Sequence, residues 1–281
     1  MTTMDCEVVV TRNGTFAMRD RSSGEVMHPM GAAVEARTVY VDPSRLEARL
    51  LALHESPHRP LVLLDVGLGA ASNAIAAWKI SESLPTSMRR LEIVSFENDL
   101  GALRLALEPQ NAEGFGLGAA EHAAASALVT GGRAETARTT WRLQFGDFLP
   151  ALAQEPDASA DIVFWDMFSP TTNRAMWSSS TFRALRRVCR SGATVHTYNA
   201  ATATRSALLL GGFAVGVGAP TGDRDQTTMG AVDVADLVRP LDARWLMRLE
   251  RSSAPFPADV GDDAAARAEA LTQIRKLPQF Q

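Results

Sequence analysis

The chain has 281 residues, of which 46% are hydrophobic and 21% are charged, as in an ordinary globular protein with one large domain. No apolar run approaches the roughly 20 residues of a membrane-spanning helix, so no membrane partner is expected. The net charge of -4 argues against general binding of nucleic acid through a basic excess, although a local basic patch is compatible with it. The cysteines, Cys6 and Cys189, match no metal-ligand spacing, and no secretion signal opens the chain. These features predict a reduced, cytoplasmic protein without a metal.

The first 55 residues are predicted to form a small β-rich extension that packs on the core. Residues 5–19 alternate in polarity around Asn13-Gly14, a dipeptide typical of hairpin turns. Residues 38–41 are interpreted as a short strand. A helical pattern over residues 44–54 has a proline near its start, as helix starts favour.

From residue 56 onward, apolar runs alternate with helical patterns. The predicted strands are 61–66, 91–96, 141–145, 161–166, 193–198, 213–217 and 226–232. The predicted helices are 71–82, 99–107, 175–189, 200–210 and, near the end of the chain, about 263–275. This alternation implies a mostly parallel sheet, whereas the short connection between the last two strands makes that pair antiparallel. The predicted fold class is α/β, with a Rossmann-like core over 56–232 that has seven strands and an antiparallel final strand, followed by an extension over 233–281.

A turn with two glycines follows the first buried strand, in the run Asp65-Val66-Gly67-Leu68-Gly69. Open parallel sheets bind ligands at the carboxyl ends of their strands, and glycine lets the backbone turn sharply and a ligand approach closely. The dinucleotide pattern is incomplete, because Ser72 occupies the third glycine position. Two interpretations stay open, namely a nucleoside-binding turn and a turn that serves only close packing.

Acids follow the next two strands. Glu97 lies 30 residues after Gly67, where a carboxylate can bridge the two hydroxyls of a ribose. The alternative is a solvated acid at the end of a strand. Asp147, after the third strand, is placed either to reach an adenine amino group or to cap the following helix.

The segment from Asp166 to Trp177 is the most distinctive part of the sequence. Asp166 ends a central strand, and Pro170 makes the following turn rigid, so that polar groups point into the cleft. Asn173 is a candidate cap for the next helix. Trp177 either fills a gap under the loop or stacks on a flat substrate.

Three further polar residues are candidates for the same cleft. His28 and Glu35 lie in the N-terminal segment, and a lone histidine there is compatible with a structural hydrogen bond as well as with catalysis. Tyr198 follows the fifth strand, where it lines the cleft or packs in the core. The sequence shows no Ser-His-Asp order, zinc spacing or phosphate-binding P-loop.

The order of these acids and glycines resembles that of class I S-adenosyl-L-methionine-dependent methyltransferases, whose doubly wound sheet also closes with an antiparallel strand. More specifically, the chain resembles the MnmC-like tRNA methyltransferases, which finish the 5-methylaminomethyl-2-thiouridine base at the tRNA wobble position. Residues 166–177 are similar to the family's D-x-F-[SA]-P-x-x-N-P-x-x-W signature, with Arg174 in place of the second proline. The other similar segments are Ser95–Glu97, Thr197-Tyr198, Arg205, Gly211–Phe213, Glu25–His28 and Gly31–Glu35.

The resemblance implies a role for each matching residue. The cofactor would be S-adenosyl-L-methionine, held by Asp65, Gly67, Gly69, Asn73, Glu97, Asp147 and Asp166. Glu97 would bind its ribose and Asp147 its adenine, while Asp166 would lie beside the methyl donor and the acceptor amine as the catalytic residue. The substrate side would include His28, Glu35, Phe168, Asn173, Trp177, Tyr198 and Arg224. The run 222–225 around Arg224 has two acids where the family has a basic G-x-K-R run.

Three functional hypotheses follow. The first is methylation of a primary amine on a tRNA wobble uridine, with tRNA as the partner. The second is methylation of a small molecule or a protein, which agrees with the net charge of -4 and with the acids beside Arg224. The third is binding of S-adenosyl-L-methionine without catalysis, which agrees with the altered signature at Arg174.

Overall fold

The structure, a computed structural model, describes residues 5–11, 13–52, 59–221 and 225–281. Its N-terminal part is a three-stranded antiparallel sheet of β1 (Cys6–Val10), β2 (Phe16–Asp20) and β3 (Val26–Met27). Strands β1 and β2 form the predicted hairpin around Asn13-Gly14, where Gly14 has a φ of 75° that glycine adopts at no steric cost.

The main sheet has eight strands in the described residues. They are β4 (Leu61–Val66), β5 (Leu91–Glu97), β6 (Arg133–Glu135), β7 (Thr139–Phe145), β8 (Ala160–Trp165), β9 (Cys189–Thr197), β10 (Ala214–Val217) and β11 (Thr228–Ala231). Their spatial order is β10-β11-β9-β8-β4-β5-β7-β6, and β4 pairs in parallel with both β5 and β8. Every residue of β4 and β8 is buried, which explains why both strands are apolar in the sequence apart from one aspartate each, Asp65 and Asp161.

Both edges of the main sheet are antiparallel. Strand β11 pairs antiparallel with β9 and with β10, which confirms the prediction for the end of the sheet. At the other edge, β6 pairs antiparallel with β7 and adds an eighth strand, so the predicted count of seven is wrong. Strand β6 has only three residues, and Arg133 and Glu135 are exposed, so no apolar run marks it in the sequence.

Eleven α-helices lie in the described residues. They are α1 (Ala32–Glu35), α2 (Leu46–Leu51), α3 (Ser72–Ser83), α4 (Gly101–Ala106), α5 (Pro109–Ala112), α6 (Ala119–Gly131), α7 (Phe148–Leu152), α8 (Ser179–Val188), α9 (Thr202–Leu210), α10 (Ala243–Glu250) and α11 (Ala264–Arg275). Short 3-10 helices cover Arg174–Trp177, Val234–Asp236, Ala258–Val260 and Pro278–Phe280. None of the described helices is long and apolar enough to cross a membrane.

The prediction of a strand at residues 38–41 is wrong, because this segment belongs to a π-helix over Ala36–Val41. Val39, Tyr40 and Val41 are buried in it, and it packs against α3 and β9. Tertiary packing thus overrides the β preference of these side chains. The helix predicted over 44–54 begins at Leu46, and its predicted end lies outside the described residues.

Two hydrophobic cores lie on opposite faces of the main sheet. Successive residues of β4 alternate between them, with Leu63 in one core and Leu64 in the other. The N-terminal sheet and the π-helix cover the first core, to which Tyr40 belongs. The C-terminal helices cover the second core through Trp245 of α10 and Ile274 of α11.

A buried ion network lies at the end of the main sheet where its parallel strands begin. Asp161, at the start of β8, lies within 3.5 Å of guanidinium nitrogens of Arg59, Arg89 and Arg190. Burial alone raises the pKa of the Asp161 carboxyl, but hydrogen bonds and the arginine charges outweigh it and lower that pKa. The candidate functional site lies at the opposite end of the sheet, where the parallel strands have their carboxyl ends.

Candidate active site

The turn between β4 and α3 brings two glycines to the carboxyl edge of the sheet. Gly67 and Gly69 have φ angles of 90° and 51°. A Cβ atom on Gly67 would lie 2.6 Å from the backbone oxygen of Asp166, so this close approach requires glycine. Gly67, Gly69 and Asp166 line one cavity, called the Asp166 cavity. The loop after β4 and the loop after β8 therefore face one crevice.

The Asp166 carboxylate is the centre of this cavity's hydrogen bonding. Its Oδ2 accepts a hydrogen bond from Asn73 Nδ2 at 2.7 Å and lies 2.7 Å from His28 Nε2. Its Oδ1 accepts a hydrogen bond from the Tyr40 hydroxyl at 2.6 Å. The side chain is only 11% exposed, so these contacts act in a medium of low polarity, where they are strong.

The ionisation of Asp166 follows from these contacts. Burial alone raises the pKa of its carboxyl, but the His28 ring and the hydrogen bonds outweigh burial and hold that pKa below its ordinary value. Burial lowers the pKa of His28, and the Asp166 carboxylate raises it by more, so the net direction is upward. Burial and Asp166 both raise the pKa of Tyr40, so its hydroxyl keeps its proton and donates it in a hydrogen bond.

Glu97 lies beside the glycine turn and lines the same cavity. Its carboxylate accepts hydrogen bonds from the backbone N–H groups of Gly69 at 3.1 Å, Asn98 at 2.8 Å and Asp99 at 3.1 Å. Burial raises the pKa of Glu97 by more than these bonds lower it. The backbone bonds fix the carboxylate at the mouth of the turn, where the sequence predicts contact with a ribose.

A second cavity, called the Asp147 cavity, adjoins the first, and Gly67, Glu97 and Asn173 line both. Its other walls include Gly146, Asp147, Phe148, Leu149, Pro150, Ala175 and Met176. The walls are mostly apolar, as a site for a flat base requires. Asp147 occupies the N-cap position of α7, as one interpretation predicts, but its side chain makes no capping hydrogen bond.

Asp65 lies beneath the glycine turn rather than in the lining given for either cavity. It is 1% exposed, and its Oδ2 accepts a hydrogen bond from the Ser95 hydroxyl at 2.8 Å. Burial raises the pKa of Asp65 to about 7. Its other oxygen has no hydrogen-bond partner within the described part of the chain. Direct contact between Asp65 and the cofactor stays a prediction. The buried position of Asp65 beneath the glycine turn does not favour it.

Five of the residues predicted on the substrate side line the Asp166 cavity, and these are His28, Glu35, Phe168, Asn173 and Tyr198. Arg224 lies outside the described residues. Asn173 makes no side-chain capping bond, and Ser178 caps α8 instead, so the predicted cap at Asn173 is wrong. Glu35 is buried and accepts a hydrogen bond from the backbone N–H of Met30 at 2.9 Å.

Trp177 occupies a different place from the other predicted substrate residues. It is 3% exposed and packs beneath the loop, with its ring against those of Trp165, Phe182 and Tyr198. Its Nε1 donates a hydrogen bond to the backbone oxygen of Phe168 at 2.7 Å. Of the two interpretations of Trp177, the structure thus favours the filling of a gap under the loop.

Two residues absent from the predicted site hold it together. Tyr40 reaches Asp166 from the π-helix, and no sequence signal identifies it, because tyrosine among β-branched residues is typical of a strand. Glu25 binds the loop after β8, since its Oε1 accepts from the Ser169 N–H at 2.9 Å and its Oε2 from the Thr172 hydroxyl at 2.7 Å. Its place in the N-terminal run similar to the MnmC-like family was the signal for it.

Comparisons with known proteins bear on this geometry. A family model described as S-adenosyl-L-methionine-dependent methyltransferase matches residues 122–233. The chain is 29% identical over 271 residues to the tRNA 5-methylaminomethyl-2-thiouridine biosynthesis bifunctional protein MnmC of Chromobacterium violaceum. The match covers 88% of this chain and 39% of that protein. Identity to the protein of the same name from Burkholderia vietnamiensis is 32% over 221 residues, covering 71% of this chain and 32% of that protein.

The fold is shared with a solved structure. The crystal structure of MnmC2 from Aquifex aeolicus matches with a TM-score of 0.73 and 22% identity, over 98% of this chain and 87% of that one. From the sequence matches, the chain is an MnmC-like, S-adenosyl-L-methionine-dependent methyltransferase. The methyltransferase spans only about a third to two fifths of the length of the two curated relatives, at 32% and 39%.

The residues present in the methyltransferase fit S-adenosyl-L-methionine. Gly67 and Gly69 place bare backbone at the cavity wall, and the buried Oδ1 of Asn73 has no partner among the described residues. The Glu97 carboxylate beside the glycine turn suits a ligand that carries ribose hydroxyl groups. When bound, the cofactor supplies an electrophilic methyl group.

In the part of the chain that the structure describes, no group of three or more His, Cys, Asp or Glu side chains is placed to hold a metal ion. Cys6 and Cys189 are free thiols. Burial raises the pKa of Cys6 to about 11 and that of Cys189 to about 12, so neither thiol ionises readily at neutral pH.

Proposed function

We propose that the methyltransferase methylates a primary amine, and that this amine is the aminomethyl group of a wobble uridine in tRNA. The observation that carries the proposal is the ionised Asp166 carboxylate in one cavity with the glycine turn of a methyl-donor site. The names of the two curated relatives support the choice of the tRNA base. We also infer a cytoplasmic location, where tRNA is modified.

The cofactor is assigned to the two adjoining cavities. Its methionine part lies beside Gly67 and Gly69 in the Asp166 cavity, with the ribose at Glu97. Asn73 is buried outside the lining given for that cavity and acts through its hydrogen bond to Asp166. Its adenine lies in the Asp147 cavity, whose apolar walls suit a flat base and where Asp147 is available to the amino group. This arrangement directs the methyl group toward Asp166.

Asp166 is suited to hold the acceptor amine. A carboxylate has about four lone-pair positions, and three hydrogen bonds occupy three of them here. The remaining position, on Oδ1, accepts an N–H of the amine. The amine nitrogen is then held in one orientation, and orientation is the main contribution that the protein makes to a transfer of this kind.

The charge of the Asp166 cavity selects an amine over a neutral acceptor. Among its described lining residues are the acids Glu25, Glu35, Glu97, Asp99 and Asp166, and the one side chain able to carry positive charge is His28. A primary alkyl amine has a pKa of about 10.4, like that of lysine, so at neutral pH it reaches the cavity as an ammonium ion. Such a lining raises the local concentration of cations.

The test is transfer of tritiated methyl groups into tRNA that carries the aminomethyl precursor base. Wild-type protein should label this tRNA and should not label tRNA that lacks the precursor. The Asp166→Ala variant should lose turnover while its affinity for the cofactor, measured by calorimetry, stays within about threefold, because Asp166 acts on the amine. Asp236→Ala, an exposed acid outside both cavities, is the matched control and should behave as wild type. A wild-type rate for Asp166→Ala would contradict this role.

A second candidate substrate is a small molecule or protein that carries a primary amine. The net charge of -4 favours it, because tRNA binding usually draws on a basic excess. Binding of precursor tRNA at several salt concentrations separates the two candidates. Tight binding that weakens as salt rises supports tRNA, whereas no binding even at low salt supports the second candidate.

The division of the chain into a core and two extensions is also part of this proposal. We assign the core to residues 56–232, with residues 1–55 and 233–281 as extensions packed on it. The N-terminal extension would complete the site, since His28 and Tyr40 both reach Asp166 from it.

A further inference from the structure

The side chain of His28 is placed at the centre of the site by an unusual backbone. The ring lines the Asp166 cavity, and the residue has a φ of 55°, in the left-handed region that residues other than glycine rarely adopt. This conformation is sterically unfavourable for any residue with a Cβ. Strained backbone of this kind is concentrated at functional sites.

The contacts of His28 fix which ring nitrogen carries the proton in the neutral state. Asp166 is ionised and is therefore only an acceptor, so Nε2 of His28, 2.7 Å from Oδ2, must carry a hydrogen. The lone pair of the neutral ring then lies on Nδ1. No residue within the described ranges donates a hydrogen bond to Nδ1.

Asp166 itself is poorly suited to accept a proton. Three hydrogen-bond donors stabilise its ionised form, and protonation would require at least one of them to be broken or reoriented. The charges that face His28 favour proton uptake by its ring, because Asp166, Glu35 and Asp65 are all acidic. The neutral hydroxyl of Tyr40, bound to the same carboxylate, adds no opposing charge.

We propose that His28 is the general base of the reaction, and that its Nδ1 takes up the proton of the substrate ammonium through one water molecule while Asp166 holds its Nε2–H. This inference rests on the proposed methylation of an amine. In the step, an N–H bond of the ammonium breaks and its electron pair stays on nitrogen as the lone pair that attacks. The ammonium proton passes to the intervening water, this water gives one of its own protons to Nδ1, and the resulting imidazolium forms an ion pair with Asp166. The ring later releases this proton to water.

The first measurement is the pH dependence of single-turnover methyl transfer. Below the raised pKa of His28 the ring is protonated and cannot accept, so the wild-type rate should fall with unit slope as the pH decreases. In His28→Gln, whose amide still donates to Asp166, the rate at neutral pH should fall about 10²–10⁴-fold and the acid limb should vanish. Affinity for the cofactor should stay within about threefold. His122→Gln, in helix α6 and outside both cavities, is the control and should keep the wild-type profile.

Chemical rescue provides a second, independent test. Glycine adopts the backbone conformation of residue 28 without strain, so His28→Gly should fold and leave a space for added imidazole. Imidazole should restore methyl transfer in proportion to its neutral fraction. A purely structural His28 would give no such dependence on the ionisation of imidazole.

The third measurement does not use activity. In protein with ¹⁵N-labelled histidine, His28 should show a proton on Nε2 and an unprotonated Nδ1 at high pH, and its titration should shift to lower pH in Asp166→Asn. A proton on Nδ1 in the neutral ring would overturn the inference whatever the substrate is. If wild type methylates precursor tRNA and His28→Gln keeps both its rate and its acid limb, the role of His28 fails while the proposed function stands. If wild type labels no tRNA, the proposed function fails, and the tautomer still decides whether His28 is poised as a base.

Discussion

Replacement of Gly67 by alanine tests the contact between the two loops that form the site. The added Cβ atom would lie 2.6 Å from the Asp166 backbone oxygen and 3.0 Å from its carbonyl carbon, and backbone atoms cannot rotate away as a flexible side chain does. Gly67 also has a φ of 90°, which alanine adopts only with strain. Two separate penalties are therefore expected at this position.

The magnitude of each penalty follows from the structure. A left-handed backbone costs an alanine roughly 1–2 kcal/mol, and overpacking against a rigid neighbour typically adds about 1–3 kcal/mol. Gly67→Ala should thus lower the free energy of unfolding by about 2–5 kcal/mol. Any relief by movement of the glycine turn would shift the cofactor site, so the affinity for S-adenosyl-L-methionine should fall at least about tenfold.

Gly132→Ala is the matched control. Gly132 ends α6 with a φ of 68°, and an added Cβ atom there meets nothing within 4 Å. Only the backbone penalty applies, so stability should fall by about 1–2 kcal/mol with no change in cofactor affinity. Urea unfolding at constant m-value gives the stabilities, and calorimetry gives the affinities. Equal losses of stability in the two variants would refute the argued contact between Gly67 and Asp166.

Three further predictions concern buried acids and the loop after β8. Tyr40→Phe removes a donor to Asp166 and should cost about 1.5–3 kcal/mol of stability at pH 7. Because the native pKa of Asp166 lies below its unfolded value, this loss should shrink as the pH falls through the native pKa. An equal loss in urea unfolding at pH 7 and at a pH below the native pKa, located by titration of Asp166, would contradict it. The native pKa of Asp65 is about 7, above its unfolded value, so ionisation of Asp65 destabilises the protein as the pH rises from about 4 to 7. Asp65→Asn should therefore gain stability relative to wild type across that window, by a few kcal/mol at most, and a constant difference in urea unfolding argues against it. Glu25→Gln weakens the bonds to the loop after β8, so amide exchange at Ser169 should quicken about tenfold by NMR, and unchanged protection would exclude this role.

Much of the fold was predictable because burial on both faces leaves a direct trace in the sequence. β4 and β8 are apolar apart from one buried aspartate each, since helices cover both sides of the central sheet. The π-helix at residues 36–41 leaves no comparable trace, because its conformation is set by packing against α3 and β9. Strand β6 was missed for another reason, namely that one buried residue between two exposed ones carries too little pattern.

The candidate site was predictable to the extent that topology fixed it. Acids and glycines at the ends of parallel strands must meet at one edge of the sheet, and Gly67, Glu97 and Asp166 do so. Contacts between the N-terminal segment and Asp166 depend on how that segment folds back, which no local pattern encodes. Tyr40 was therefore missed, and the contact between His28 and Asp166 was not foreseen. The orientation of Trp177 was not predictable either, because the sequence is the same whether a tryptophan near a cleft faces the core or the cleft.

The hydrogen bonds to Asp166 from His28 and Tyr40 join residues 138 and 126 positions apart. During translation at about 5–20 residues per second, these two donors leave the ribosome roughly 6–30 s before the acid that they bind. The N-terminal sheet therefore cannot be fixed by these two hydrogen bonds until β8 has been synthesised and inserted beside β4, and before that only other contacts can hold it. Assembly of the centre is thus a late event in biogenesis, and a nascent chain arrested before residue 166 would expose His28 and Tyr40 without their acceptor.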